Sequence, residues 1–203
     1  MKKKVFPIHP KNLLFNQYRD KDLSVDLSDA DKIRKQNLHN YLRSFSKRPS
    51  ILVIGEAPGP RGCRFSGVPF TSEAQLCNGE LPFKGQKSSI SDLPYSENSA
   101  AIFWRVMLPY YPKFFIWNSV PFHPHKREEI LSIRNPTRAE VCNYSSLLSE
   151  IISLIKPKRI VTVGKKAEFP LKQNGLSYKY VRHPSHGGAK EFSTAIKTIF
   201  NNI

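Results

Sequence analysis

Residues 51–54, Ile-Leu-Val-Ile, form an unbroken apolar run that gives way at once to Gly55-Glu-Ala-Pro-Gly59. A run this short, apolar at every position and rich in β-branched residues, reads as a strand covered on both faces, as in a parallel sheet. Gly55 and Gly59 permit tight or left-handed backbone at the strand exit, and Pro58 stiffens the loop between them. A loop delivered in this way to the carboxyl edge of a sheet holds Glu56 and its neighbouring backbone N–H groups in fixed positions. Ligands of open α/β sheets bind at that edge.

Two more apolar runs repeat the pattern. Residues 114–118 read Phe-Phe-Ile-Trp-Asn and lead into a loop with His123 and His125; residues 159–163 read Arg-Ile-Val-Thr-Val and lead into Gly164-Lys-Lys-Ala167. A shorter run at 178–181 precedes Arg182-His-Pro-Ser-His-Gly-Gly188. Helical stripes lie between the strands. One spans 30–45 (Ile33, Leu38, Tyr41, Leu42, Phe45) behind the cap candidates Ser28 and Asp29. A second, over 96–108, is stopped by Pro109 and Pro112, and a last one covers 190–200. Thr137-Arg-Ala-Glu140 fits a capping box and opens a single helix carrying Val141, Tyr144, Leu147, Leu148, Ile151 and Ile155 to Pro157.

Strands alternating with helices imply an α/β fold, a three-layer α/β/α sandwich around a short, mainly parallel four-stranded sheet. At this length residues 1–203 read as one domain, with 1–49 a helical extension packed on it. The Gly- and Pro-rich stretch 55–94 is too long for a plain connection and reads as functional, or as holding short structure of its own. The topology brings three loops to one sheet edge, and with them Glu56, Asn118 and His183.

Thirty-two Lys and Arg stand against 16 Asp and Glu, a formal net charge of +16 spread along the whole chain. A folded domain with that balance favours a polyanion, nucleic acid before others, over a merely solvated basic surface. Gly164-Lys165-Lys166 at a strand-to-helix turn suits phosphate, though it lacks the spacing of a nucleoside-triphosphate loop. The three cysteines, Cys63, Cys77 and Cys142, have no C-x-x-C spacing, so neither a disulfide framework nor a four-cysteine metal centre is expected. His123 and His125 lack a third ligand and read as a wall of the pocket. No apolar run reaches membrane-spanning length and the charged N-terminus has no apolar core of a signal peptide, so the expectation is a cytoplasmic monomer with no membrane partner.

Taken together, Gly55-Glu-Ala-Pro-Gly59 with Gly67-Val-Pro-Phe70, Asn118 at a strand end and His183-Pro-Ser185 resemble the motifs of the uracil-DNA glycosylase superfamily, in its order. The first motif is similar to that of the thermophile-type branch (family 4). That branch holds an iron–sulfur cluster on four cysteines, which three scattered cysteines do not supply, so neither a cluster nor any other cofactor is expected. The resemblance implies excision of uracil or a related deaminated base from DNA. It makes Glu56 and His183 the catalytic residues and Ala57, Pro58, Phe70 and Asn118 the base pocket. Lys165, Lys166, Ser185 and His186 would meet the DNA. In the best-known branch an aspartate that helps place the water follows the first loop residue; Ala57 stands there, leaving that task to Glu56 or to nothing. The other reading of Glu56 is a loop carboxylate paired with Arg61 or Arg64. The segment after His183 carries no large apolar wedge, which leaves His186 as a substitute or single strands as the preferred substrate. Two other readings stay open: a catalytically silent nucleic-acid-binding protein of this fold, and a hydrolase of small nucleosides or nucleotides.

Overall fold

The apolar runs form the strands read from them, in a computed structural model that describes residues 3–201. Met1 and Lys2 of the basic N-terminus, and the last two residues, lie outside the described residues. In chain order the elements are β1 (Leu14–Phe15), α1 (Ala30–Arg43), β2 (Ile51–Gly55), α2 (Cys63–Ser66), α3 (Glu73–Cys77), α4 (Asn98–Met107), β3 (Phe114–Asn118) and β4 (His123–Pro124). They continue with α5 (Arg138–Asn143), α6 (Ser145–Ile155), β5 (Arg159–Val163), α7 (Phe169–Gln173), β6 (Lys179–Val181) and α8 (Ala189–Asn201).

The main sheet is parallel, in the order β3-β2-β5-β6. Residues of β2 and β3 are buried throughout, the expected state of a strand covered on both faces. Successive side chains alternate between those faces. Phe114 meets Phe103 of α4 and Phe200 of α8 edge-on, at 6.3 and 6.2 Å between ring centres. Its neighbour Phe115 stacks on Tyr41 of α1, 5.5 Å away. Helices thus cover both sides, giving the three-layer α/β/α sandwich. The segment before β2 contributes Val5, Phe6, Leu14 and Tyr18 to the same apolar core, and β1 pairs antiparallel with β4.

Strand order decides where a ligand can sit. The chain runs from β2 outward to β3, then returns to the opposite side of β2 with β5. The crevice beyond the carboxyl ends of β2 and β5 is a topological switch point. Register places Gly55 beside Asn118 across β2 and β3, so the ends of the two strands open on one edge.

Two local expectations are corrected, and a third, short structure within 55–94, is met. The helix read from Thr137 to Ile155 breaks at Tyr144, whose ring is held edge-on by Phe122 at 5.3 Å while Ser145 Oγ donates to the Cys142 carbonyl. The capping box itself is present: Glu140 N donates to Thr137 Oγ1 at 3.2 Å and Thr137 N to Glu140 Oε2 at 2.7 Å. After β5 the turn begins as a 3₁₀ segment over Lys165–Glu168 before α7. Within 55–94 the chain forms α2 and α3, and the Glu73 carboxylate of α3 holds the segment that follows, accepting from Ser88 N, Ser89 N, Ser89 Oγ and Tyr95 N at 2.6–3.1 Å.

Candidate active site

A cleft of about 750 Å³ opens on this sheet edge, lined among others by Glu56, Ala57, Phe70, Glu97, Asn118, Lys165, Lys166, His183, Ser185 and His186. Of the residues read as a site, Pro58 alone is not in the lining. It is buried in the loop, and its carbonyl faces His123 Nδ1 at 2.8 Å.

The glycines of the first motif serve space rather than left-handed backbone. A Cβ on Gly55 would lie 2.5 Å from the Phe70 ring and 2.6 Å from Asn118 Oδ1, and one on Gly59 would lie 2.2 Å from Glu97 Oε2. Neither glycine is among the residues with positive φ. Phe70 is, at φ 51°, a conformation that a bulky residue adopts at a cost. That backbone turns its ring onto Phe103, stacked at 4.5 Å and 14°, with the His183 ring 6.0 Å away.

Asn118 ends β3 at 4 % exposure, and its side-chain amide makes no hydrogen bond to any described residue. A strand-end asparagine bonded to local backbone is therefore not what the structure holds. The amide keeps a donor and an acceptor uncommitted inside a cleft. His183 is oriented more firmly. Ser185 N–H lies 3.2 Å from its Nδ1 and Ser185 Oγ 2.7 Å away. A backbone N–H can only donate, so Nδ1 accepts and the ring proton of the neutral imidazole sits on Nε2. Burial lowers the His183 pKa below the ordinary value, and nearby His186 lowers it further. The side chain is thus a neutral donor through Nε2. Ser185, read as a nucleic-acid contact, has its hydroxyl engaged by this histidine.

Glu56 pairs with neither Arg61 nor Arg64. Arg64 is committed to Asp26, both side chains fully buried, and the cation nearest Glu56 is Lys166, 3.8 Å away. Burial raises the Glu56 pKa above the ordinary carboxylate value, and Lys166 opposes part of that rise. This contact spans the switch point, with Glu56 following β2 and Lys166 following β5. Lys165 is exposed on the same rim.

Glu97 is the residue that sequence reasoning missed. It stands at the start of α4, its carboxylate packed over Gly59 and Gly62; Oε1 accepts from Ser99 Oγ at 2.6 Å, while buried Oε2 has no partner among the described residues. Burial raises its pKa, against the pull of Ser99 and the Arg61 and Gly62 backbone. The available signal was the paired Gly59 and Gly62, which make room for something bulky.

His123 does not line the cleft; only Pro124, between the two histidines, does. Its ring is buried between the carbonyls of Pro58 and Ile130, and burial takes its pKa down to about 4. The cysteines do not fit an iron–sulfur cluster: Cys63 is buried while Cys77 and Cys142 are exposed, with Cys142 donating to Gln173. Among the described residues no group of three or more His, Cys, Asp or Glu is placed to hold a metal ion, and no helix is long and apolar enough to cross a membrane.

The profile described as the Uracil DNA glycosylase superfamily matches residues 42–199. Among solved structures, wild-type SMUG2 of Pedobacter heparinus is similar with a TM-score of 0.63 at 15 % identity, over 93 % of this chain and 88 % of that one. At that identity the likeness speaks for the fold. No curated protein matches the chain.

Proposed function

The chain belongs to the uracil DNA glycosylase superfamily, and from that premise we propose that it is a monofunctional DNA glycosylase that removes uracil or a related deaminated base. The protein works as a monomer on DNA. The observation that carries this reading is the buried Asn118 amide, without a partner among the described residues, in one cleft with a histidine whose Nε2–H is free to donate.

Each group then has a task. The extruded base lies against the face of the Phe70 ring that Phe103 leaves open, a stacking contact worth about 1–3 kcal/mol. Asn118 Oδ1 accepts from uracil N3–H and its Nδ2 donates to O4; cytosine presents the opposite pattern at those atoms. As the bond from the sugar carbon to N1 breaks, its electron pair leaves with the base and charge gathers on O2. His183 Nε2–H donates there, in a site that is already oriented by Ser185. Ionised Glu56 holds the attacking water beneath the sugar and takes its proton. Ala57 and Pro58 shape the loop, while Lys165, Lys166 and His186 face the phosphates.

The test is incubation with oligonucleotides bearing uracil, hypoxanthine or xanthine, followed by alkaline cleavage at abasic sites. His183→Ala is expected to slow single-turnover excision by roughly a hundredfold or more while DNA affinity stays close to wild type, because the histidine meets charge that exists mainly in the transition state. Absence of excision on every base, with intact DNA binding, would make the protein a silent binder of this fold.

A further inference from the structure

Ile133 is a large apolar side chain on the rim of this basic cleft, 60 % exposed. It stands on the segment between β4 and α5, and that segment is pinned on both sides of it. Arg134 donates to both oxygens of Glu140, at 2.7 and 2.9 Å, to the His125 carbonyl at 3.0 Å and to the Leu13 carbonyl at 3.2 Å. Ser132 Oγ donates to the Glu129 carbonyl at 2.6 Å and accepts from Lys126 N at 2.8 Å. Glu140 is itself fixed by the Thr137 capping box. Leaving such a side chain in water forgoes the free energy of burying it, on a loop that is anchored rather than free to fold it away.

Its surroundings indicate what covers it. Arg61, Lys165 and Lys166 line the same cleft, on a chain of net charge +16, which suits a polyanion. The polyanion with apolar surface to offer between its charges is a stacked duplex, and branched apolar side chains enter such stacks as wedges. The segment after His183 offers only His186, two glycines and Ala189.

We propose that Ile133 is the wedge of this protein: it enters the base stack of duplex DNA at the site left by the extruded nucleotide and keeps that gap open while the base occupies the cleft. The proposal rests on the glycosylase reading for its substrate, and adds that duplex DNA is handled from the β4–α5 segment. The side chain touches no reacting group, so its effect belongs to the duplex alone.

Excision is compared on uracil in a single strand and in a duplex, with 2-aminopurine next to the lesion to report unstacking independently of chemistry. Ile133→Ala, an exposed substitution that leaves the fold intact, is expected to slow duplex excision by about tenfold or more, since the stack must then be opened without help. It should abolish the rise in 2-aminopurine emission on binding and leave the single-strand rate unchanged. Ile133→Leu should restore most of both duplex readouts. Equal losses on both substrates, or an unchanged 2-aminopurine response in Ile133→Ala, would overturn the proposal. A wild-type protein that unstacks the duplex through Ile133 but releases no base would overturn the glycosylase reading and leave the wedge standing.

Discussion

Behind the loop that follows β2, charge is matched with charge; in front of it, polar groups are left without partners. On the inner side the Asp26 carboxylate meets Arg64 through both of its oxygens and Arg34 at 3.0 Å, all with no side-chain exposure. Both guanidiniums also lie over the Phe15 ring, at 5.6 Å for Arg34 and 4.5 Å for Arg64. On the outer side the Asn118 amide and His183 Nε2 line the cleft with no hydrogen-bond partner among the described residues, and buried Glu97 Oε2 beside them has none either. A buried polar group without a partner costs about 1–3 kcal/mol. Buried atoms without a hydrogen bond also occur on the inner side, at Arg34 Nη2 and Arg64 Nε, but there the ion pairs with Asp26 offset the cost. The two sides differ in that only at the cleft edge can a ligand supply the missing partner.

The largest expected effect comes from breaking the inner side. Asp26→Ala strands two buried guanidiniums, one of which, Arg34, has its pKa already drawn down to about 10 by burial. Removing one member of a buried ion pair typically costs about 3–5 kcal/mol, and denaturant unfolding should show a loss of that order. A loss under about 1 kcal/mol would mean that the inner cluster does not hold the loop, and the contrast between its two sides would fail.

How much of this was legible in the sequence follows from the range of the forces involved. The strands of the central sheet announce themselves because burial on both faces demands apolar residues at every position, a local signal that 51–54 and 114–117 carry in full. The shared edge was legible for the same reason: once the strands are placed, topology brings Glu56, Asn118 and His183 together, and all three line one cleft. Pairings between distant residues were not. Asp26 meets Arg64 across 38 positions and lies in a segment that reads as a polar, basic extension. Nothing local distinguishes that arginine from the exposed Arg61 close by. Glu97 was hidden likewise, since a carboxylate before a helix reads as an ordinary N-terminal residue until α4 packs against Gly59. The break at Tyr144 is a tertiary override, in which an aromatic contact with Phe122 prevails over an uninterrupted apolar stripe.

A smaller effect probes the outer side without removing any group that meets the base. Ser185→Ala keeps the backbone N–H on His183 Nδ1 and deletes only the hydroxyl contact at 2.7 Å. One hydrogen bond contributes about 1 kcal/mol, which predicts single-turnover excision slowed by about fivefold with DNA affinity unchanged. A uniform loss of affinity, with the rate at saturating protein retained, would instead return Ser185 to the phosphate contacts read from the sequence.

The smallest effect separates Lys166 as a phosphate contact from Lys166 as the partner of Glu56. Burial raises the Glu56 pKa and Lys166 lowers it, so the carboxylate ionises above the usual carboxylate range but below where burial alone would put it. If the ionised form holds the water, excision falls with decreasing pH through the Glu56 pKa, on an acid limb displaced upward from that of an ordinary carboxylate. Lys166→Gln removes only the lowering influence, so the limb should move to still higher pH. The pair is partly exposed and 3.8 Å apart. Such pairs are worth ~0.2–1 kcal/mol, so the change in rate at a fixed pH on the limb should be about fivefold or less. The plateau above the limb should keep its height when DNA is saturating. A phosphate contact predicts the reverse pattern, an unmoved limb with weaker DNA affinity and a shallower dependence of that affinity on salt. Single-turnover rates across pH, measured at saturating DNA for both proteins, distinguish the two.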